Sequence, residues 1–197
     1  MCKNVLKSVF VIVLINLFSI IMAFGKTEQQ AYKVVHREKE FDIRFYPSSI
    51  MATVKMEAKS YSEMSGRGFR KLAGYIFGGN ESDTSISMTA PVHMDIKEKG
   101  SSMSFVMPSS WQYDKLPKPK DPAVLLEKSG EEHVAVIGFG GYASDAVIRK
   151  YSEKLRKLLE NKGITWHGNF RFLGYNPPFQ PFFRRNEIIV SVDWNDN

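Results

Sequence analysis

The 197-residue chain holds a single cysteine, Cys2, which lies ahead of an apolar segment. Without a second thiol it closes no disulfide within itself, and a structural metal site built on several thiolates is excluded. Signatures that reveal catalysis by their spacing are also missing. There is no Gly-x-Ser-x-Gly turn, no phosphate-binding glycine loop and no His-Glu-x-x-His pair. Gly138-Phe139-Gly140-Gly141 follows a strand-like run but lacks the spacing and βαβ setting of a dinucleotide site. Basic residues are scattered, and no basic run alternates with aromatics, so a nucleic-acid partner is not expected. His36, His93, His133 and His167 include no pair at helical ligand spacing. Together these absences favour a binding protein over an enzyme.

What the chain does have begins with its first 25 residues. Lys3 and Lys7 precede residues 9–24, which are apolar apart from Asn16 and Ser19, and Ala23-Phe24-Gly25 offers small residues at a cleavage position. This pattern predicts a signal peptide over residues 1–25, with an uncleaved membrane anchor as the alternative. The apolar stretch falls short of the ~20 residues that span a bilayer, so no stable membrane span is expected once it is removed. Either way, residues 26–197 would fold outside the cytoplasm. An exported chain without disulfides suits a bacterial periplasm, with secretion or N-terminal anchoring as alternatives. Loss of the leader removes two lysines and no acid, lowering the net charge from +6 to +4.

The remainder divides into halves over residues 31–110 and 123–197, joined by a proline-rich connector at 111–122. Alternation of apolar and polar residues predicts strands over 32–36, 41–46, 50–57, 85–96 and 102–107. Ser60 and Glu63 form a capping box for a helix whose face carries Tyr61, Met64, Leu72, Tyr75 and Ile76, ended by Gly78-Gly79. In the second half, strands are predicted over 124–127, 134–140, 169–174 and 187–193. A helix over 145–161 lies between them, capped by Ser144 and closed by Gly163. The fold class is therefore α+β, two β-β-α-β-β repeats forming a twisted, barrel-like antiparallel or mixed sheet flanked by two helices.

Four motifs occur in order: Ser87-Met88-Thr89-Ala90-Pro91-Val92, Phe105-Val106-Met107-Pro108, the proline-rich connector, and Gly174-Tyr175-Asn176-Pro177-Pro178 followed by Arg184-Arg185-Asn186-Glu187. From residue 32 to 194 the chain resembles the SOUL haem-binding protein family. The resemblance implies a fold akin to bacterial effector-binding domains of the GyrI type. It also implies a non-covalently bound tetrapyrrole, haem first and other porphyrins next. The implied site is an open apolar cleft between the first helix and the loop before the last strand.

A haem site needs an apolar slot, cations for two carboxylates and optionally an iron ligand. On the resemblance, Met64 and Leu72 would line the slot, while Arg67, Arg70 and Lys71 would meet the carboxylates. Phe179, Phe182, Phe183, Arg184 and Arg185 would form the opposite wall. The phenylalanines either seal the core or line a binding surface, which leaves protein contacts through this loop open. Relatives often carry a lysine where this loop has Gln180, and Phe45 stands where some place a histidine. For an iron ligand, His93 ranks first and His36 second.

Overall fold

The computed structural model describes residues 27–195, so the leader read in residues 1–25 lies outside the described residues. Eleven strands and two α-helices are present among them: β1 (Glu28–Gln29), β2 (Lys33–Arg37), β3 (Asp42–Tyr46), β4 (Ile50–Met56), α1 (Tyr61–Ile76), β5 (Thr89–Ala90), β6 (Val92–Asp95), β7 (Ser101–Val106), β8 (Val124–Lys128), β9 (Glu132–Phe139), α2 (Asp145–Lys162), β10 (Trp166–Gly174) and β11 (Asn186–Val192). Nine strands form one sheet in the order β2-β3-β9-β11-β10-β6-β7-β4-β8, every neighbouring pair antiparallel. The sheet is not closed: β2 and β8 are its edges. β1 and β5 form a separate parallel pair.

Apart from the extra edge strand β2, the order is symmetric about the β6–β10 pairing. On one side α1 packs on β4, β7 and β8, and on the other α2 packs on β9, β10 and β11. The leading strand of each half crosses over, since β3 pairs with β9 and β8 pairs with β4. The predicted strand over 85–96 is interrupted at Pro91, which has no N–H to offer a ladder.

Both helices follow their sequence signals. Ser60 Oγ accepts from Glu63 N at 3.2 Å, while the Glu63 carboxylate accepts from Lys59 N at 2.9 Å, one residue earlier than a standard capping box. Asp145, at the start of α2, adds a second cap to α1 by accepting from Tyr61 N at 2.5 Å. Gly163 ends α2 in the left-handed region at φ 65°.

Side chains alternate across the sheet. Ile43, Ala135, Ile137, Ile188 and Val190 join Met64, Leu72, Leu155 and Leu159 in the main core beneath the helices. Val134, Val136, Leu173 and Ile189 form a smaller cluster with Tyr46 on the opposite face, covered by Tyr32 and Tyr175. The connector is more than a spacer. Leu116 is buried, Trp111 packs on the core, and residues Tyr113–Lys115 make a 3₁₀ turn.

Candidate functional site

Helix α1 contains three glycines, and each would otherwise cost about 1 kcal/mol relative to alanine. Gly68 faces the core, where a Cβ would lie 2.8 Å from Met56 Cε and 3.1 Å from Met103 Sδ. A larger residue there would have to push aside the ends of these two methionines. Gly74 has no such reason, because a Cβ there would meet nothing within 4 Å. The space above it is a cavity of about 530 Å³, whose floor is Gly74, Gly79 and Tyr75 and whose walls carry Arg67, Arg70, Lys71, Lys120 and Asp121.

The connector builds the far wall. Gly79 N donates to Gly74 O at 2.8 Å, an approach so close that a Cβ at Gly79 would fall 2.5 Å from that oxygen. Lys120 N then donates to Gly79 O, and Glu81 N to Lys118 O. Buried Asn80 bonds Tyr75 O and Thr84 O, and Tyr75 OH donates to Pro117 O at 3.0 Å. Burial pushes the Tyr75 phenol up to about 12, so it remains a neutral donor.

Charge in this groove is unbalanced. Lys71 pairs with Asp121 at 2.7 Å, and its bond together with one from Ala123 N holds the Asp121 carboxyl below its usual range. Lys120 pairs with Asp83. Arg67 and Arg70 are exposed and have no carboxylate partner among the described residues. The groove thus offers aliphatic stems, one tyrosine ring, a glycine floor and two free guanidiniums. Such a lining suits a flat apolar molecule bearing carboxylates.

The structure rearranges part of the sequence-based site. Arg67, Arg70 and Lys71 line the groove, but Met64 and Leu72 do not: both are 0% exposed in the main core. Their helical spacing placed them on the inward stripe, away from any open slot. Phe179, Phe182 and Phe183 are 78%, 72% and 97% exposed, so they seal no core, and none lines this groove. Arg184 turns back on its own loop, donating to Pro177 O and Gln180 O at 2.7 and 2.8 Å.

Arg185 joins a buried cluster on the sheet face opposite the helices. Arg44 Nη1 donates to both Glu187 oxygens at 3.0 and 3.1 Å, Arg185 Nη2 donates to Oε1 at 2.8 Å, and Tyr175 OH donates to Oε2 at 2.7 Å. Burial and then Glu187 push the Tyr175 phenol far above its ordinary range. Nearby, Arg171 holds Glu132 in a two-pronged pair, and its bonds outweigh the effect of burial to keep that carboxyl below its usual range.

Neither histidine favoured as a ligand reaches the groove. His93, on β6, lies with Nε2 2.7 Å from Gln30 Oε1, so the neutral ring carries its proton on Nε2. Burial, then Arg171, lowers its pKa to about 3. His36, on edge strand β2, lies tilted against the Trp194 ring and faces Glu38 at 3.2 Å. Among the described residues no cluster of three or more His, Cys, Asp or Glu could hold a metal ion. Sequence reasoning missed Gly74, Gly79, Lys120 and the connector wall, although glycines in a helix interior without a packing reason were a readable signal.

Comparison with known proteins supports the fold and gives the family. The C-terminal domain of EcmrR superposes with a TM-score of 0.55 at 13% identity, covering 82% of this chain and 98% of that domain. A structure described as a hydrolase from Listeria innocua gives 0.56 at 11% identity, covering 89% and 98%. These likenesses establish the fold alone. Heme-binding protein 1 of Xenopus laevis is 29% identical over 176 residues, 83% of this chain and 92% of that protein. Heme-binding protein 2 of Mus musculus is 32% identical over 157 residues, 75% and 76% of the two chains. Both relatives are named for haem binding. The family model described as SOUL heme-binding protein matches residues 27–191, and the chain belongs to that family.

Proposed function

We propose that this protein binds haem or a related porphyrin without covalent attachment, in the groove between α1 and the connector. The observation that carries the reading is the glycine-floored cavity flanked by unpaired Arg67 and Arg70. One macrocycle face would lie over Gly74 and Tyr75, and the carboxylates would meet Arg67 and Arg70, with Lys71 and Lys120 adding to the field. The cavity size falls within the range of small-molecule sites.

The lining includes no histidine, cysteine or methionine, so recognition rests on the disc and its carboxylates and not on iron. Metal-free protoporphyrin should therefore titrate residues 26–197 with an affinity close to that of haemin. Saturable one-to-one binding is expected, lost at least about tenfold in Arg67→Glu/Arg70→Glu, since each charge-assisted bond is worth about 1.5–3 kcal/mol. Linear uptake, or a preference for haemin of a hundredfold, would sink the reading.

The same proposal includes export, with a role in carriage, buffering or scavenging outside the cytoplasm. Its support is the leader-like pattern of residues 1–25 and a family match that starts only at residue 27. No helix among the described residues is long and apolar enough to cross a membrane. Fractionation of expressing cells and N-terminal sequencing of the product test this part.

A further inference from the structure

A second cavity, of about 250 Å³, lies on the helix side of the sheet and shares no lining residue with the groove or with loop residues 175–185. Its floor is Phe170 and Phe172 of β10, with Ile96 just past β6. Its walls are the first two turns of α2, through Asp145, Ile148, Arg149 and Ser152, and the entry to α1 at Lys59 and Ser60. Phe172 is 3% exposed, but Phe170, Ile96 and Ile148 are only half-buried, which leaves apolar surface open within the cavity. The shape is held by bonds of its own. Asp145 accepts from Tyr61 N at 2.5 Å and from Ser62 N at 3.4 Å, tying the starts of the two helices together. Phe172 meets the Tyr61 ring edge-on at 5.4 Å, and Phe170 is braced by the Arg156 guanidinium 5.4 Å from its ring. Small-molecule sites are largely pre-formed in this way.

The polar part of the lining identifies the occupant. Ser60 Oγ accepts from Glu63 N, Ser152 Oγ donates to Ile148 O, and both Asp145 oxygens accept from backbone N–H groups. A cationic or hydroxyl-rich ligand would therefore find its partners already engaged. Lys59 Nζ and the Arg149 guanidinium differ, for neither has a hydrogen-bond or ion-pair partner among the described residues. Arg149 stands one turn after Asp145 in α2, yet that carboxylate is turned to α1. Glu63, the acid next to Lys59, likewise spends its carboxylate on Lys59 N. The cavity thus sets two unspent cations, on different walls, above an apolar floor. That combination suits a single carboxylate on a flat apolar body, with the floor rings meeting an aromatic face or edge. Size excludes the porphyrin. The cavity has less than half the volume of the groove, about 250 against 530 Å³. It also falls below the roughly 300–1,000 Å³ of sites for drug-sized molecules.

We propose that this cavity binds a small aromatic carboxylate, with its ring over Phe170, Ile96 and Ile148 and its acid group between Lys59 and Arg149. This goes beyond the porphyrin reading and does not rest on it, because the two cavities have separate linings.

The test is a titration of isotope-labelled residues 26–197 with indole-3-acetate, followed by amide chemical shifts. Both core clusters are drawn from residues 32–194, so this piece carries its whole core. Saturable shifts are expected at residues 59–60, 96, 148–152 and 170–172, and not at Gly74, Gly79 or Lys120. Indole-3-acetamide has the same shape without the charge and should bind at least about tenfold more weakly. The same loss is expected for indole-3-acetate in Lys59→Glu/Arg149→Glu, whose side chains are exposed, so the melting temperature should hold. Ser152→Leu should fill the cavity and abolish binding. Haemin titration should be unchanged in both variants, and Arg67→Glu/Arg70→Glu should still bind indole-3-acetate, which separates failure of this proposal from failure of the porphyrin reading. Absence of saturable shifts up to millimolar ligand overturns the proposal. So do equal affinity for the acetamide, undiminished binding in Lys59→Glu/Arg149→Glu, and shifts centred on Gly74 and Gly79.

Discussion

Adding a single Cβ to α1 should have opposite consequences at two of its glycines. At Gly74 the methyl group would enter open space, so alanine removes the helix penalty of glycine and costs nothing in contacts. The expected gain is about 0.5–1 kcal/mol, or a rise in Tm of about 1–4 °C for a domain of this size. At Gly68 the same methyl group would press on Met56 and Met103 inside the core. Overpacking costs about 1–3 kcal/mol, so after a helix gain of about 1 kcal/mol a net loss of up to about 2 kcal/mol is expected. Gly74→Leu keeps the helix gain but fills the floor of the groove. It should combine unchanged or higher stability with at least about a tenfold loss of haemin affinity. Urea titration and haemin difference spectra on the same samples read both effects. If Gly74→Ala destabilises the protein, the space above that residue is not open. If Gly74→Leu binds haemin normally, the groove is not the porphyrin site.

Other outcomes follow from the buried polar groups. Glu187→Gln leaves Arg44 and Arg185 facing each other without a full counter-charge, and should cost about 3–5 kcal/mol in urea unfolding. A cost below about 1 kcal/mol would refute the buried-pair account. His93 has a folded pKa near 3 against an unfolded value of 6.5, so below 6.5 the unfolded chain binds its proton first. Its contribution is complete above pH 6.5 and is lost as the pH falls. The decline in stability between about pH 6.5 and 4.5 should flatten in His93→Gln, and an unchanged slope would count against it. His36→Ala should leave the haemin spectrum unaltered, since its ring packs against Trp194 at the edge of the sheet; a shifted Soret band would point to ligation there.

Local structure was more legible than long-range pairing. Ser60, Glu63, Ser144 and Gly163 marked helix ends because caps act over three or four residues. The crossing of β3 to β9 and of β8 to β4 could not be read from the sequence, because it depends on partners far away in the chain. Arg44 occupies a polar position in an alternating strand and reads as solvent-facing. Only the fold reveals that both faces of β3 are covered, one by the main core and the other by the tyrosine cluster. At the candidate site periodicity placed Arg67, Arg70 and Lys71 off the apolar stripe and the resemblance gave them a role, whereas the wall made by residues 117–121 was hidden by its proline-rich, coreless pattern. The same stripe that marked Met64 and Leu72 as apolar also marked them as core, and the resemblance drew them outward.

The position of β11 has a consequence for how the molecule reaches its final form. The last strand in sequence is not an edge strand, for Asn186–Val192 lies between β9 and β10 with both sides hydrogen-bonded. Until that segment is available, β9 and β10 each present an open ladder and the sheet is broken between them. A chain emerging N-terminus first therefore cannot complete its core until nearly every residue has been released. Under the export proposed above, late closure would keep the chain threadable to the end. The cost is a period of exposed strand edges, during which assistance from holding factors would matter most.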